Sequence, residues 1–355
     1  MYRKTLLLAL AALAAAPAHA VWTITDLNPV SGLTSVAWSV RGGQQAGVMR
    51  DNQTFLSKAS LWTGTAASWV DLNPAIAMVS GAATTDGSQQ VGEIRTFSAP
   101  GVDRASLWSG SAASYVDLHP TGALRSYARG VQGGVQVGYS DFGGLFRASR
   151  WTGSAASWTD LSPSGSTESF LHGIDGNQQV GEATFSGSSH AGVWSGTGAS
   201  YVDMHPTGAT DSYGFFTQGG QQVGYAVFSG QNMASLWSGT AASWVNLDPF
   251  GATESQAFGV WNGQQVGFAT LGGVEQAGYW NGTAGSWVSI HDNSYVSTRA
   301  YSIWSSGNTT YISGYGVDAN TSMTHALLWT QTVPEPGAWM ALGLGALAVL
   351  RRRKR

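Results

Sequence analysis

The chain lacks cysteine, carries few charges and has no apolar run of membrane-spanning length. Each shortage closes a class of explanation. Without cysteine there is no disulfide framework, no cysteine nucleophile and no zinc site of the Cys/His type. Asp, Glu, Lys and Arg make up 10% of the residues, against roughly a quarter in ordinary globular chains, and only six are Glu. The apolar run at 338–350 has thirteen residues, two of them glycine, where a comfortable membrane span needs ~20. His-Glu-x-x-His, Gly-x-Ser-x-Gly and phosphate-loop motifs are missing, so no catalytic residue is assigned. Helical repeats are excluded because no stretch of ten residues between the two terminal segments keeps a helical period.

What the chain has instead is glycine (48 of 355), tryptophan (16) and a repeat. Trp62, Trp108, Trp151, Trp194, Trp237, Trp280 and Trp329 each close a short apolar run such as Ala59-Ser60-Leu61-Trp62, at spacings of 46, 43, 43, 43, 43 and 49 residues. A fixed period of 20–50 residues signals a solenoid, propeller or array. Four short β signals recur per unit: an aromatic before Asp-Leu-x-Pro, a Ser-x-Ala segment, a Gln-Gln-Val-Gly element and the run ending in Trp. Short alternating runs bounded by Gly, Asn and Pro read as strands.

Four strands in about 43 residues match one blade of a β-propeller. The glycine of the Gln-Gln-Val-Gly element recurs seven times, at Gly47, Gly92, Gly138, Gly181, Gly224, Gly267 and Gly314. After Trp329 the next expected strand is absent, while an orphan strand, 21–27, precedes the first full unit. Pairing of these two would close a ring and leave no open sheet edge. The expectation is an all-β, seven-bladed propeller over 21–332 with four antiparallel strands per blade; an open β-solenoid is the alternative.

The propeller lies between two targeting segments. Residues 1–20 have the basic start (Arg3, Lys4), apolar stretch and Ala18-His19-Ala20 ending of a secretory signal, which implies passage through the Sec export machinery. Residues 333–355 combine Pro334-Glu335-Pro336, the short apolar helix and a basic tail beginning Arg351-Arg352-Arg353. This combination resembles the PEP-CTERM sorting signal of Gram-negative bacteria. The resemblance implies a chain held transiently in the inner membrane and processed by an exosortase toward the cell surface or extracellular matrix. The basic tail would stay cytoplasmic and the repeats outside. Removal of both segments leaves ten Lys and Arg against nineteen or twenty Asp and Glu, which argues against nucleic acid as a partner. Within the repeats, His325-Ala326-Leu327-Leu328-Trp329 and His190-Ala191-Gly192-Val193-Trp194 resemble HAF-type extracellular repeats, a family that implies no particular activity.

Residues identical in every unit are read as packing; function is sought where the repeat breaks. After the Ala position of the Ser-x-Ala-like segments, which is Leu171 in one unit and Gly214 in another, stand Trp38, Ala83, Arg129, His172, Phe215, Phe258 and Tyr301. On an innermost strand these would converge on the central channel, either as a carbohydrate or small-ligand surface or as channel filling. Glu168, Asp211 and Glu254 share one position in three successive units: an acidic rim for sugar hydroxyls or Ca²⁺, or turn-solvating acids. Lys58, Arg104, Arg147 and His190 share another, as a basic arc suited to an acidic polysaccharide or as ordinary surface bases. No metal or cofactor is otherwise expected. The reading is an exported structural or adhesive protein of the cell surface or exopolysaccharide, without enzymatic activity and with weak glycan binding. The alternative is a glycoside hydrolase or lyase on the same scaffold.

Overall fold

A computed structural model, which describes residues 21–333, is a ring of seven four-stranded antiparallel sheets, a seven-bladed β-propeller. The export signal at 1–20 and the sorting-signal residues from Pro334 to Arg355 lie outside the described residues. Each unit becomes one blade with its strands side by side in chain order. In the fourth blade these are Glu168–Asp175, Gln178–Phe185, Ser188–Trp194 and Val202–Asp203. The Ser-x-Ala segments are innermost. Each touches its counterpart on both sides, including the first blade's Gly32–Arg41 against the seventh blade's Tyr295–Ser306.

The ring closes as the orphan strand requires. Thr23–Asp26 runs antiparallel to Thr324–Thr332, with Ile24 opposite Trp329, and takes the outermost place in the seventh blade. The open-solenoid alternative is thereby set aside.

Two positions explain much of the glycine. In the first, third, fifth and sixth blades the turn between first and second strands takes positive φ at both central residues, as at Gly133 (57°) and Gly134 (82°), because that backbone follows the twist of the flanking strands. The second-strand glycine answers a different constraint. A Cβ at Gly47, Gly92 or any of the other five would lie 1.8–1.9 Å from a carbonyl oxygen of the first strand. No side chain fits there.

Neighbouring blades are joined by a hydroxyl and an indole. Ser35, Ser80, Ser126, Ser169, Ser212, Ser255 and Thr298 are buried on the first strands. Each hydroxyl accepts the backbone N–H of an alanine on the third strand of the preceding blade at 2.8–3.0 Å. Each also bonds a residue of the loop between the blades, the one before proline in six cases, as Ser80 does with Asn73 (2.6 Å) and Ser126 with His119 (2.7 Å), and His291 before Asp292 in the case of Thr298. The seven repeat tryptophans are fully buried. Each wedges against the preceding blade's loop leucine or its substitute: Trp108 with Leu72, Trp237 with Met204, Trp62 with Leu27 across the seam. Burying roughly 200 Å² at about 25 cal/mol/Å² gives on the order of 5 kcal/mol gross per indole.

The antiparallel order gives the sheets two unlike ends. Turns joining first to second strands leave one end, the hairpin end. Turns joining second to third strands, and the crossovers between blades, leave the other. Val30, Phe55, Ile76, Phe97, Leu124, Leu145 and Phe250 are exposed, and all belong to the crossover end. Both ends of the described chain sit at the hairpin end. Thr23 bonds Thr330 there (Oγ1 to Oγ1, 2.6 Å), and the Val333 N–H donates to the Asn308 carbonyl in the last hairpin (2.9 Å).

Two stability predictions follow from these contacts. Gly224→Ala forces a Cβ to 1.8 Å from the Tyr213 carbonyl and is expected to cost at least about 1–3 kcal/mol. Gly285→Ala, in open space where the other five turns of this kind carry Ala, is expected to stabilise by about 0.4–1 kcal/mol. Thermal unfolding of the two variants checks the pair. Burial holds the loop histidines His119, His205 and His291 below the ordinary imidazole value, with Arg104 adding to the effect at His119 and His190 at His205. The unfolded chain then takes up protons first as pH falls. This contribution is complete above the unfolded value of about 6.5 and is lost as pH drops through it toward the lower folded values. Replacing all three by Asn, the residue at Asn28 and Asn73, is expected to reduce the fall in melting temperature between pH 7.5 and 5, as read by calorimetry.

Candidate functional site

The seven symmetry-breaking residues are the bulged residues of the innermost strands. Pairing with the second strand slips by one between Ala37 and Ser39, Ala82 and Thr84, Ala128 and Gly130, Leu171 and Gly173, Gly214 and Phe216, Ala257 and Gly259, and Ala300 and Ser302. A bulge leaves one residue without a ladder partner and re-aims its side chain. Here that residue is Trp38, Ala83, Arg129, His172, Phe215, Phe258 or Tyr301, and all seven line one cavity of about 300 Å³ on the axis. The structure brings every member of this set together.

Toward the hairpin end the axis is narrow. The Arg41 guanidinium of the first blade stacks on Trp261 of the sixth, 5.0 Å from the ring centre, and the space beside them is only about 10 Å³. The cavity is therefore a cup whose lining runs from the bulged residues toward this narrow end through Ser39, Thr84, Phe216 and Ser302.

One half of its wall is aromatic. Ring centroids step from His172 to Phe215 (5.7 Å), Phe215 to Phe258 (5.1 Å, nearly parallel) and Phe258 to Tyr301 (5.0 Å). The rest of the wall is mixed, with Trp38 and Ala83 beside the charged Arg129 and the hydroxyls of Ser39 and Thr84. Arg129 donates to Glu93 Oε2 (3.2 Å) and the Tyr139 hydroxyl (3.2–3.3 Å), and His172 Nε2 lies 3.1 Å from Glu182. Burial pushes the Glu93 carboxyl up, with Arg129 opposing and Asp103 reinforcing the shift. Such a wall can stack an apolar face and bind hydroxyls at the same time.

The acidic positions do not converge. Glu168 accepts the Phe146 backbone N–H (3.2 Å), Asp211 that of Ser189 (3.0 Å), and Glu254 the amides of Asn232 and Gln256 (2.9 Å each). Each therefore ties the start of its first strand to the third strand of the preceding blade. Arg125, at the same place one blade earlier, pairs with the buried Asp141 (2.7 Å). Among the described residues no group of three or more His, Asp or Glu is placed to hold a metal ion.

The basic arc is internally neutralised. Lys58 meets Asp71 (3.2 Å), Arg104 meets Asp117, Arg147 meets Asp160 (3.3 Å) and His190 meets Asp203 (2.8 Å), each across the third and outer strands of one blade. His325 and Asp26 repeat the pair across the seam at 2.7 Å.

Glu93 and Glu182, each following the Val-Gly of its second strand, are not among the residues that the repeat pattern singles out. That position lies opposite the residue two places before the bulge (Gly81 opposite Glu93, Phe170 opposite Glu182). Strand alternation puts it on the inward side. Comparing that position across units, Val48, Glu93, Tyr139, Glu182, Tyr225, Phe268 and Tyr315, was the available signal.

Residues 332–355 match the PEP-CTERM protein-sorting motif, so the chain carries the signal of an exported, membrane-processed protein. No curated protein matches the chain. Among solved structures, the β-propeller domain of the Trilobed protease from Pyrococcus furiosus is similar at 10% identity and a TM-score of 0.54, over 86% of this chain and 97% of that one. The Pyrococcus horikoshii acylaminoacyl peptidase is similar at 9% identity and a TM-score of 0.50, over 88% of this chain and 54% of that one. At such identities the likeness is one of fold. Among the described residues no helix is long and apolar enough to cross a membrane. The sorting motif thus supplies routing, and the propeller supplies the scaffold.

Proposed function

We propose that this protein is a non-enzymatic component of the cell surface or its exopolysaccharide in a Gram-negative bacterium. In this reading it is built from HAF-type repeats, exported by the Sec route, processed by an exosortase, and binds glycan weakly in its axial cup. The observation that carries the reading is the aromatic arc from His172 to Tyr301, which lines one cavity together with Trp38 and Arg129. The two-ended construction supports display. With both chain ends at the hairpin end, a tether through residues 334–355 directs the crossover end away from the membrane.

A second reading, glycan cleavage, draws on Glu93. Burial raises its carboxyl. Asp103, which accepts from Arg95 and Tyr127, is a second acid beside it, and glycoside cleavage uses a pair of carboxyl groups. Release of new reducing ends that disappears in Glu93→Gln would replace the binding reading.

Two measurements test the proposal. On a glycan array, the triple variant Phe215→Ala, Phe258→Ala, Tyr301→Ala should lose at least about tenfold in affinity; unchanged binding refutes the arc. Because the chain has no cysteine, single cysteines report orientation cleanly. In spheroplasts holding the uncleaved chain, a bulky maleimide should label Phe250→Cys faster than Asn308→Cys, and the reverse order refutes outward display.

A further inference from the structure

Blade 2 differs from the other six by what it leaves out. At the bulge it has Ala83, and two places earlier Gly81, where the next three blades carry Tyr127, Phe170 and Tyr213. The missing side chains open a side notch of about 400 Å³ between the first and third blades. Trp38 forms one wall and lies over Gly81, so close that a Cβ there would be 3.3 Å from the indole. Tyr127 stands on the other side. Glu93, Arg95 and Asp103 project from the second and third strands of blade 2.

The charges of the notch cancel. Asp103 accepts from Arg95 (2.8 Å) and from the Tyr127 hydroxyl (2.7 Å), and Glu93 Oε2 accepts from Arg129 (3.2 Å). The other oxygen of Glu93, Oε1, would lie 3.6 Å from a Gly81 Cβ. It therefore faces the notch floor, and no hydrogen-bond partner reaches it among the described residues. Two acids matched by two bases leave no net field to select a charged ligand. An aromatic wall beside an acceptor without a donor calls for a ligand with an apolar face and hydroxyl donors.

From these features we infer that the notch is a binding subsite for one neutral pyranose residue, stacked on Trp38 and donating a hydroxyl to Glu93 Oε1. The subsite deepens the proposed glycan binding and rests on it, but its residues are distinct from the arc of Phe215, Phe258 and Tyr301. The two cavities share Trp38, so one glycan chain can enter through the notch and continue into the cup.

The experiment is calorimetric titration of the mature exported protein with neutral gluco-, galacto- and manno-oligosaccharides, and with uronic-acid oligosaccharides of equal length. Neutral sugars should bind more tightly, with little dependence on salt. Gly81→Val, which fills the floor, should weaken binding at least about tenfold. Glu93→Gln, isosteric and without the charge, should weaken it by a smaller factor and serves if the valine variant fails to fold. Tighter binding of uronates, or affinity unchanged in both variants, overturns the subsite. Loss in the arc triple variant alone leaves the proposed function standing and removes the notch. Loss in the notch variants alone does the reverse, and absence of binding by every sugar refutes both.

Discussion

A buried hydroxyl on each innermost strand is the contact on which the ring depends. It lies where no water can replace it, takes the backbone N–H of the preceding blade, and holds the loop that leads the chain from one blade to the next. Deleting it would orphan a buried donor and a loop side chain together, at a cost of ~1–3 kcal/mol for each unsatisfied group. The same bond crosses the seam, from Ser35 to Ala326, residues 291 apart in sequence. The seventh interface is therefore built like the six covalently continuous ones. In a chain without disulfides, an N-terminal strand of four residues suffices because it enters a seam already equipped with the hydroxyl, the Trp62 wedge on Leu27 and the His325–Asp26 pair.

Substitutions within the repeat follow physical rules. Where the third strand carries Lys, Arg or His, the outer strand carries Asp. In the fifth and sixth blades the base becomes Met233 or Gln276 and the acid becomes Asn246 or Ser289. The second glutamine of each Gln-Gln element accepts a glycine N–H from the following turn, as Gln179 does from Gly196 (2.7 Å). In the seventh blade that turn does not exist, because the N-terminal strand supplies the outer position, and an apolar Ile312 stands in the glutamine's place. Charge and polarity track local partners, which is why the basic arc is better understood as a strand-pairing device than as a ligand surface.

The architecture was legible because packing repeats: a tryptophan every 43 residues, a glycine pressed against a carbonyl and an orphan first strand together specify seven closed blades. The convergence of Trp38 through Tyr301 was legible for the same reason, since the serine or threonine three places earlier fixes their place in every unit. The bulge that turns those side chains inward was not, because Ala128-Arg129-Gly130 and Ala257-Phe258-Gly259 look like ordinary strand until the register with the second strand is known. The notch was hidden more deeply. It arises from residues too small to attract notice, Gly81 and Ala83, and from charges whose partners lie eight to thirty-six positions away, as Arg95 and Asp103, and Arg129 and Glu93, do. An absence of volume leaves no mark in a single unit; it appears only when seven units are superimposed in space.

The position of the sorting signal completes the logic. The last described contact of the chain is the Val333 N–H on Asn308, one residue before Pro334. Proline has no N–H to continue a ladder, so the strand Thr324–Thr332 ends where the motif at 332–355 begins. A cut near Pro334-Glu335-Pro336 would leave every bond that closes the ring intact. Folding and processing are thus separable: the propeller seals itself with its first strand, and the tail can be held, cut or transferred without opening a sheet edge.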